Sequence, residues 1–354
     1  MKIATIAYLH GAGGAERQII MLSNEMALRG HEVHMIVLNE FKSPYPISEK
    51  VRVYNLSGKD NGKFGIIKRF LAFKKTIKQI MPDITINYNL QGAYFSLLIG
   101  KKICGKILYS ERGDPYDSEY SGVLGKVRDF TCKRVDALVF QSEGARKFFE
   151  IRKNQKAIVI HNSVTVPQDK YPIAMVRDNR IVTVGRLHPQ KNPHLLLDAF
   201  YKIASQYPDI RLDFYGDGPM REELLEKINR YNLVNRVTLH PSRTDIFDCI
   251  RTARLFVLPS DYEGMPNALM EAMALGLPCI SADCRPGGAR TLIHDSINGF
   301  IVPVRNVNAM AEKISYLLDN PDIAEQVSRE ARHLGETHTN RLIFNKWEDF
   351  ICSI

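Results

Sequence analysis

Short apolar runs alternate with longer amphipathic stretches along nearly the whole chain, a rhythm that predicts parallel strands joined by crossover helices. In the first half the apolar runs predict strands at Ile3–Ala7, Glu32–Leu38, Ile84–Tyr88, Lys106–Ser110, Ala137–Gln141 and Ala157–Ile160. Helical spacing predicts helices at Ala15–Arg29, Gly65–Met81, Gln91–Ile103, Gly122–Arg134 and Glu143–Phe149. Gly30 suits the C-terminal cap of the first helix, and Pro82 closes the helix before the third strand.

After a stretch that mixes Pro, Asp and Lys without helical period, "SVTVPQDKYPIAMVRDNR", the pattern restarts. Strands are predicted at Ile181–Val184, Arg211–Tyr215, Val237–Leu239, Leu255–Leu258, Cys279–Ala282 and Gly299–Val302. Helices are predicted at Pro193–Gln206, Met220–Tyr231, Ile246–Arg251, Asn267–Leu275, Gly288–Ile293 and Val307–Leu318, with a last helical stretch from Pro321. The expected architecture is α/β: a Rossmann-like domain over 1–163, a linker over 164–180 and a second Rossmann-like domain over 181–335. The remaining 336–354 is expected as a C-terminal helix packing back toward the first domain. Parallel sheets bind ligands outside the carboxyl ends of their strands, so two sheets facing a shared cleft would present their post-strand loops to it.

Composition narrows the function without choosing it. At 354 residues the chain exceeds what one core usually serves, which agrees with two domains. The net charge of +9 favours an anionic partner: a nucleotide, a nucleic acid or an acidic membrane surface. Outside one helix, however, the cations are interspersed with acids, and no nucleic-acid-binding motif accompanies them. The six cysteines are scattered, without metal-ligand spacing, and read as buried thiols. No apolar run is long enough to span a membrane, and the first breaks at His10-Gly11, so the expected location is cytoplasmic.

The turn after the first strand, "YLHGAGGAERQII", resembles a dinucleotide-binding G-x-G-x-x-G loop except that Glu16 takes the sixth position. Glu40 could end the second strand as the ribose-binding acid, but Glu16 fits poorly where close packing needs a small residue.

A richer segment is "LFVLPSDYEGMPNALMEAMALGLP", where a strand enters a polar loop and Pro266-Asn267 opens a helix with Asn267 as the expected cap. The amides of Gly264, Met265, Ala268 and Leu269 would form an anion seat at the helix N-terminus, with Glu263 and Glu271 on either side. Glu271 suits a ribose diol and Glu263 a sugar's hydroxyls. On spacing alone, two ordinary glutamates on a surface helix is the commoner interpretation. Another strand and turn, "VTVGRLHPQKN", adds Arg186 and Lys191, a pair of cations suited to neutralising a departing diphosphate.

Taken together, "VGRLHPQKN", "YGDGPMREEL", "EGMPNALME", "PGGARTLIHDSINGFIVP" and the early "GGAER" resemble the retaining glycosyltransferases of family 4, which have the two-domain GT-B fold. The match spans essentially the whole chain. It implies a UDP-sugar donor held mainly by the second domain: Arg186 and Lys191 on the diphosphate, Glu271 on ribose, Glu263 and the amides after it on sugar and phosphate. Gly216 and Gly218 would let backbone approach the nucleotide, while Gly13 and Gly14 would face the diphosphate from the first domain. No D-x-D occurs in the sequence, so protein cations are expected in place of a metal, and no cofactor is expected.

Many members of that family carry a first-domain His near the reacting carbon; this chain has "LYSERGDPYDSEY" there, similar to the subgroup acting on N-acetylhexosamine or galactose substrates. Glu111, Arg112 and Asp114 are the candidates for the acceptor side, with a structural ion pair as the alternative. The segment "GKFGIIKRFLAFKKTIKQIMPD" carries Lys63, Lys68, Arg69, Lys74, Lys75 and Lys78 with no acid before Asp83. An ordinary crossover helix with a solvated basic face is one interpretation; the other is attachment to anionic lipid, bringing the enzyme to a polyprenyl-linked or other glycan acceptor. A nucleotide-sugar epimerase of the same fold and a nucleic-acid binder are the rival functions.

Overall fold

Parallel strands buried on both faces must be apolar at almost every position, which is why the runs noted above form strands. The computed structural model describes residues 1–11, 13–56, 65–153, 155–167 and 169–354; Lys63 of the basic segment and Phe64 beside it lie outside them. The chain divides into two units, Met1–Ser163 with Arg341–Ile354, and Val164–Asn340.

The first unit runs β1 (Lys2–Ala7), α1 (Gly14–Leu28), β2 (Glu32–Val37), β3 (Val51–Asn55), α2 (Gly65–Ile80), β4 (Ile84–Asn87), α3 (Leu90–Ile99) and α4 (Lys101–Cys104). It continues through β5 (Lys106–Ser110), α5 (Val123–Cys132), β6 (Ala137–Phe140), α6 (Glu143–Phe148) and β7 (Lys156–Val159). The sheet order is β3-β2-β1-β4-β5-β6-β7, and every pairing is parallel. Alternate strand residues feed two cores: Ile3, Met35, Ile86 and Val139 on one face, Ala4, Ile6, Leu138 and Phe140 on the other.

The second unit contains β8 (Arg180–Val184), α7 (Pro193–Ile203), β9 (Arg211–Tyr215), α8 (Arg221–Arg230), β10 (Val237–His240), α9 (Ile246–Ile250), β11 (Leu255–Leu258) and α10 (Asn267–Ala274). There follow β12 (Cys279–Ala282), α11 (Gly288–Leu292), β13 (Phe300–Val302), α12 (Val307–Asp319), α13 (Pro321–Arg332) and α14 (Leu334–Thr337). Its parallel sheet has the order β10-β9-β8-β11-β12-β13. In both sheets the strand order reverses beside the unit's first strand, between β1 and β4 and between β8 and β11. Loops diverge there, opening a crevice at the carboxyl edge.

The last helix, α15 (Asn340–Ser353), inserts Ile343, Phe344, Trp347, Phe350 and Ile351 into the core of the first unit. Glu348 on its other side accepts from Arg29 Nη1 at 2.6 Å and pairs with His31 Nε2 at 2.9 Å.

Three local features depart from the sequence expectations. An edge strand, β3, was not predicted, because only Val51 of its five residues is buried and its pattern carries little apolar signal. The helix expected over 91–103 breaks at Gly100, whose φ of +96° ends α3 before α4 begins. Residues 164–180 are not a free linker but part of the second unit: Val164, Val166 and Tyr171 are buried in one of its cores, and Arg177 donates to the Gly276 carbonyl at 2.7 Å.

Candidate active site

The loop after β8 and the loop after β11 meet where the second sheet's strand order reverses. Lys191 Nζ donates to Glu263 Oε1, and Ser260 Oγ donates to the same oxygen at 2.8 Å. The pair is largely withdrawn from solvent, with side chains 23% and 8% exposed. Such a pair keeps its strength only where water is excluded and the remaining lone pairs are satisfied.

Three further ties lace the two loops, and a fourth reaches them from Arg305 beyond β13. The Asp261 amide donates to the Gln190 carbonyl at 2.9 Å. The Gln190 side chain donates to the Tyr262 carbonyl at 3.1 Å, and Asn192 Nδ2 to Asp261 Oδ1 at 2.8 Å. Arg305 Nε holds the other Asp261 oxygen at 2.8 Å. Asn192 itself sits in the left-handed region (φ 42°), where its side chain also caps α7 by accepting from the Leu195 amide. Gln190, Asn192, Ser260 and Asp261 were not singled out in the sequence; they stand beside Lys191 and Glu263, but only the fold reveals that they pair.

Arg186 is exposed in the same post-β8 loop, its Nη2 3.4 Å from Gln190 Oε1. It lines one pocket with Gly185, Lys191, Tyr215 and Ser260. Gly216 and Gly218, in the turn after β9, allow a backbone-to-backbone contact with that loop. A Cβ at Gly216 would lie 2.1 Å from the Gly185 carbonyl oxygen, and one at Gly218 2.3 Å from that of Leu187. The glycines thus seat the turn that carries Arg186.

The loop bearing Glu263 is fixed from its far side. Its amide donates to the Arg285 carbonyl at 2.8 Å, and Gly288 packs so closely that a Cβ there would lie 2.2 Å from the Gly264 carbonyl oxygen. Gly264, Met265 and Leu269 are buried, Asn267 and Ala268 half-buried. The cap of α10 is Pro266 without a side-chain bond, and Asn267 is the first helical residue, so the expected Asn267 cap is corrected. Pro266 suits the start of the helix because its ring fixes φ near the helical value, at −78°, and it has no N–H to leave unpaired there. Ala268 and Leu269 precede the first bond of the helical ladder, Met270 N–H to the Pro266 carbonyl at 3.1 Å. Glu271 is buried one turn into this helix. Burial, reinforced by the Glu263 charge, pushes the neighbouring Cys284 thiol well up.

In the first unit, Gly13 caps α1 and Gly14 begins it. Glu16, one turn in, folds its carboxylate back onto the turn: Oε1 accepts from the His10 amide and Oε2 from the Gly11 amide, each at 3.0 Å. The anion on those two amides is therefore the chain's own side chain, which accounts for the poor fit to a dinucleotide loop.

The acceptor-side candidates separate in role. Glu111 is buried and accepts from the Tyr109 hydroxyl at 2.9 Å and from the amides of Arg112 and Gly113 at 3.1 Å, so it shapes its own loop. Burial raises its pKa, and the Gly113 amide bond opposes that shift. Asp114 is also buried, and its Oδ1 accepts from the Tyr116 amide at 3.0 Å. Arg112, half-buried, lies 4.6 Å over the Tyr88 ring and donates from Nη2 to Asn162. Among the described residues no group of three or more His, Cys, Asp or Glu side chains converges as metal ligands would, and no helix is long and apolar enough to cross a membrane.

Comparison with known proteins matches both units. Residues 12–166 match the family model described as Glycosyltransferase Family 4, and residues 171–334 the one described as Glycosyl transferases group 1. An uncharacterised glycosyltransferase of Haemophilus influenzae is 26% identical over 98% of each chain. The N-acetylgalactosamine-N,N'-diacetylbacillosaminyl-diphospho-undecaprenol 4-alpha-N-acetylgalactosaminyltransferase of Campylobacter jejuni is 25% identical over 94% of each. The Anabaena protein Alr3699/HepE, solved with UDP and glucose, has a TM-score of 0.82 over 100% of each chain at 18% identity.

Proposed function

We propose that this glycosyltransferase of the GT-B fold moves a hexose or N-acetylhexosamine from a UDP-sugar to a glycan or polyprenyl-linked oligosaccharide, with retention at the anomeric carbon. The observation that carries this reading is the withdrawn Lys191–Glu263 pair beside exposed Arg186 where the second sheet reverses. The uses to which the relatives are put agree with it: one transfers N-acetylgalactosamine to a diphospho-undecaprenol glycan, and HepE has been solved with UDP-glucose. An epimerase is set aside, because both family matches and the relatives are those of transferases.

In this reading the second unit holds the donor. Lys191 and Arg186 meet the diphosphate, the α10 amides of Ala268 and Leu269 add their dipole, and Glu271 takes the ribose diol. Both bonds to Glu263 end on Oε1, which leaves Oε2 for a sugar hydroxyl. The acceptor hydroxyl attacks from the leaving group's own face: its bond to the anomeric carbon forms as the carbon–phosphate oxygen bond breaks. Its proton passes to the departing phosphate, and UDP leaves as the other product. Fixed cations that meet the developing charge supply most of the acceleration.

The membrane partner also belongs to this proposal. Along α2, Ile66, Ile67 and Leu71 are 55–59% exposed, the helix carries Lys74, Lys75 and Lys78, and it has no acid. That combination fits an anionic bilayer, with the enzyme peripheral on the membrane's inner face.

The direct test is to incubate the purified protein with a panel of nucleotide sugars and measure slow donor hydrolysis, which requires no acceptor. Hydrolysis confined to UDP-sugars is expected. Failure of every UDP-sugar, both to be hydrolysed and to raise the melting temperature, would refute the reading.

A further inference from the structure

Four strand ends in the first unit bring one polar cluster together. Tyr88 follows β4, Arg112 follows β5, Gln141 follows β6 and Asn162 lies beyond β7, all at the sheet's carboxyl edge. The Arg112 guanidinium rests on the Tyr88 ring, which is itself backed by Trp347 of α15 at 6.0 Å. With the Gln141 amide oriented so that both of its ends are satisfied, it donates to the Arg112 carbonyl at 2.8 Å and accepts from Nη2 at 3.3 Å.

This cation has side-chain supports but no carboxylate at ion-pair distance among the described residues; the Glu111 charge reaches it only through space. A guanidinium has five N–H donors. Nη2 is directed to Asn162 and Gln141, Nη1 makes a single long contact of 3.5 Å to Ser110 Oγ, and Nε is buried without a partner. The adjacent acids do not answer it: Glu111 is used by Tyr109 and two amides, and Asp114 Oδ1 faces the Tyr116 amide. A charge withdrawn from water and left unpaired is unfavourable, whereas a stacked, preset fork is well suited to two oxygens of one anion.

We infer that Arg112 seats an oxyanion carried by the acceptor, a phosphoryl or carboxylate group, and so selects charged acceptors over neutral ones. The inference rests on the transferase reading, in which the first unit receives the acceptor. It assigns Arg112 the part of a binding residue, supported by Tyr88 through ring stacking and by Asn162 through hydrogen bonding.

The test uses the full chain with UDP at saturation, so that the donor cations are occupied. Inorganic pyrophosphate and glucuronate are titrated separately by calorimetry into wild type, Arg112→Gln and Arg112→Lys. At least one anion is expected to bind wild type, with affinity falling tenfold or more in Arg112→Gln and by less in Arg112→Lys, which keeps the charge but loses the fork. Binding of pyrophosphate assigns the seat to a diphosphate-linked acceptor, and binding of glucuronate to an acidic sugar. Without ligand, Arg112→Gln is expected to melt at or above the wild-type temperature, because it removes an unanswered charge. Failure of both anions to bind wild type, or binding by Arg112→Gln equal to that of wild type, overturns the inference. Should UDP itself fail to bind, the transferase reading fails instead, and the anion titrations without UDP then decide the Arg112 seat by the same comparison.

Discussion

Removing Lys191 should damage the protein in two separable ways, and the separation is the test of its role. The ammonium is the partner of a carboxylate only 8% exposed, so Lys191→Met leaves Glu263 charged with Ser260 as its remaining side-chain donor. Breaking a buried pair from one side costs about 3–5 kcal/mol. Lys191 is 23% exposed, so solvent offsets part of this, and a loss of about 2–3 kcal/mol is the expectation here. For a unit of this size that corresponds to a melting-temperature drop of roughly 4–12 °C. The catalytic loss is independent: one missing contact to the developing charge costs about 3–4 kcal/mol, or on the order of a hundredfold to a thousandfold in turnover.

The double variant Lys191→Met/Glu263→Gln distinguishes the two. With both charges gone, nothing buried is left unpaired, and apolar or neutral replacement of a whole buried pair is commonly close to neutral. Calorimetry should therefore show the melting temperature returning to within about 3 °C of wild type. Donor hydrolysis, measured on the same samples, should stay at the level of the single variant or below. If turnover recovers along with stability, Lys191 only braces the loop. If the single variant keeps more than a tenth of wild-type turnover, the charge is not at the reacting diphosphate.

Other outcomes follow from particular contacts. Gly218→Ala would drive a Cβ to 2.3 Å from the Leu187 carbonyl oxygen, so the loop bearing Arg186 must move; donor KM should rise at least tenfold with a lowered melting temperature, read by hydrolysis kinetics and calorimetry. The Arg29 hydrogen bond, and after it His31, holds the Glu348 carboxyl below its ordinary value. A depressed carboxylate contributes stability that is fully present above the free-chain pKa of about 4.3 and lost as pH falls through the lower folded value. Urea titrations should show that acid-side loss in wild type and a smaller one in Glu348→Gln. Ile67 and Leu71 are 55% and 57% exposed, so the double change to Asp should leave the fold intact. It should abolish co-sedimentation with phosphatidylglycerol vesicles, while wild type should bind these at low salt and not phosphatidylcholine vesicles.

How much was legible beforehand depends on how far apart in sequence the deciding partners lie. Burial on both faces writes a strand such as Leu255–Leu258 into consecutive residues, whereas β3 has a single buried residue and leaves almost no trace. The restart at β8 marks a second sheet, but 164–180 has a composition that suits either a linker or a covering segment; the burial of Val164, Val166 and Tyr171 is decided by α10 and its neighbours, far along the chain. The motifs drew attention to Arg186, Lys191, Glu263 and Glu271, yet the Lys191–Glu263 and Gln190–Tyr262 ties each span 72 positions.

The two Gly-containing loops show why spacing ends where it does. Around Gly13 the pattern resembles a dinucleotide-binding loop in which Glu16 fits poorly, and Glu16, one helical turn away, reaches back to the His10 and Gly11 amides. After β8 the opposite holds: Lys191 sits in a loop without an acid of its own, so its partner must come from another strand, and the reversal of strand order between β8 and β11 brings Glu263 to it. In the proposed reading, a cation matched to one buried carboxylate, with a second exposed cation at the rim, takes on a diphosphate without first losing its internal partner. Among the described residues Arg112 has no carboxylate at ion-pair distance, and the inferred acceptor anion would supply what the chain does not.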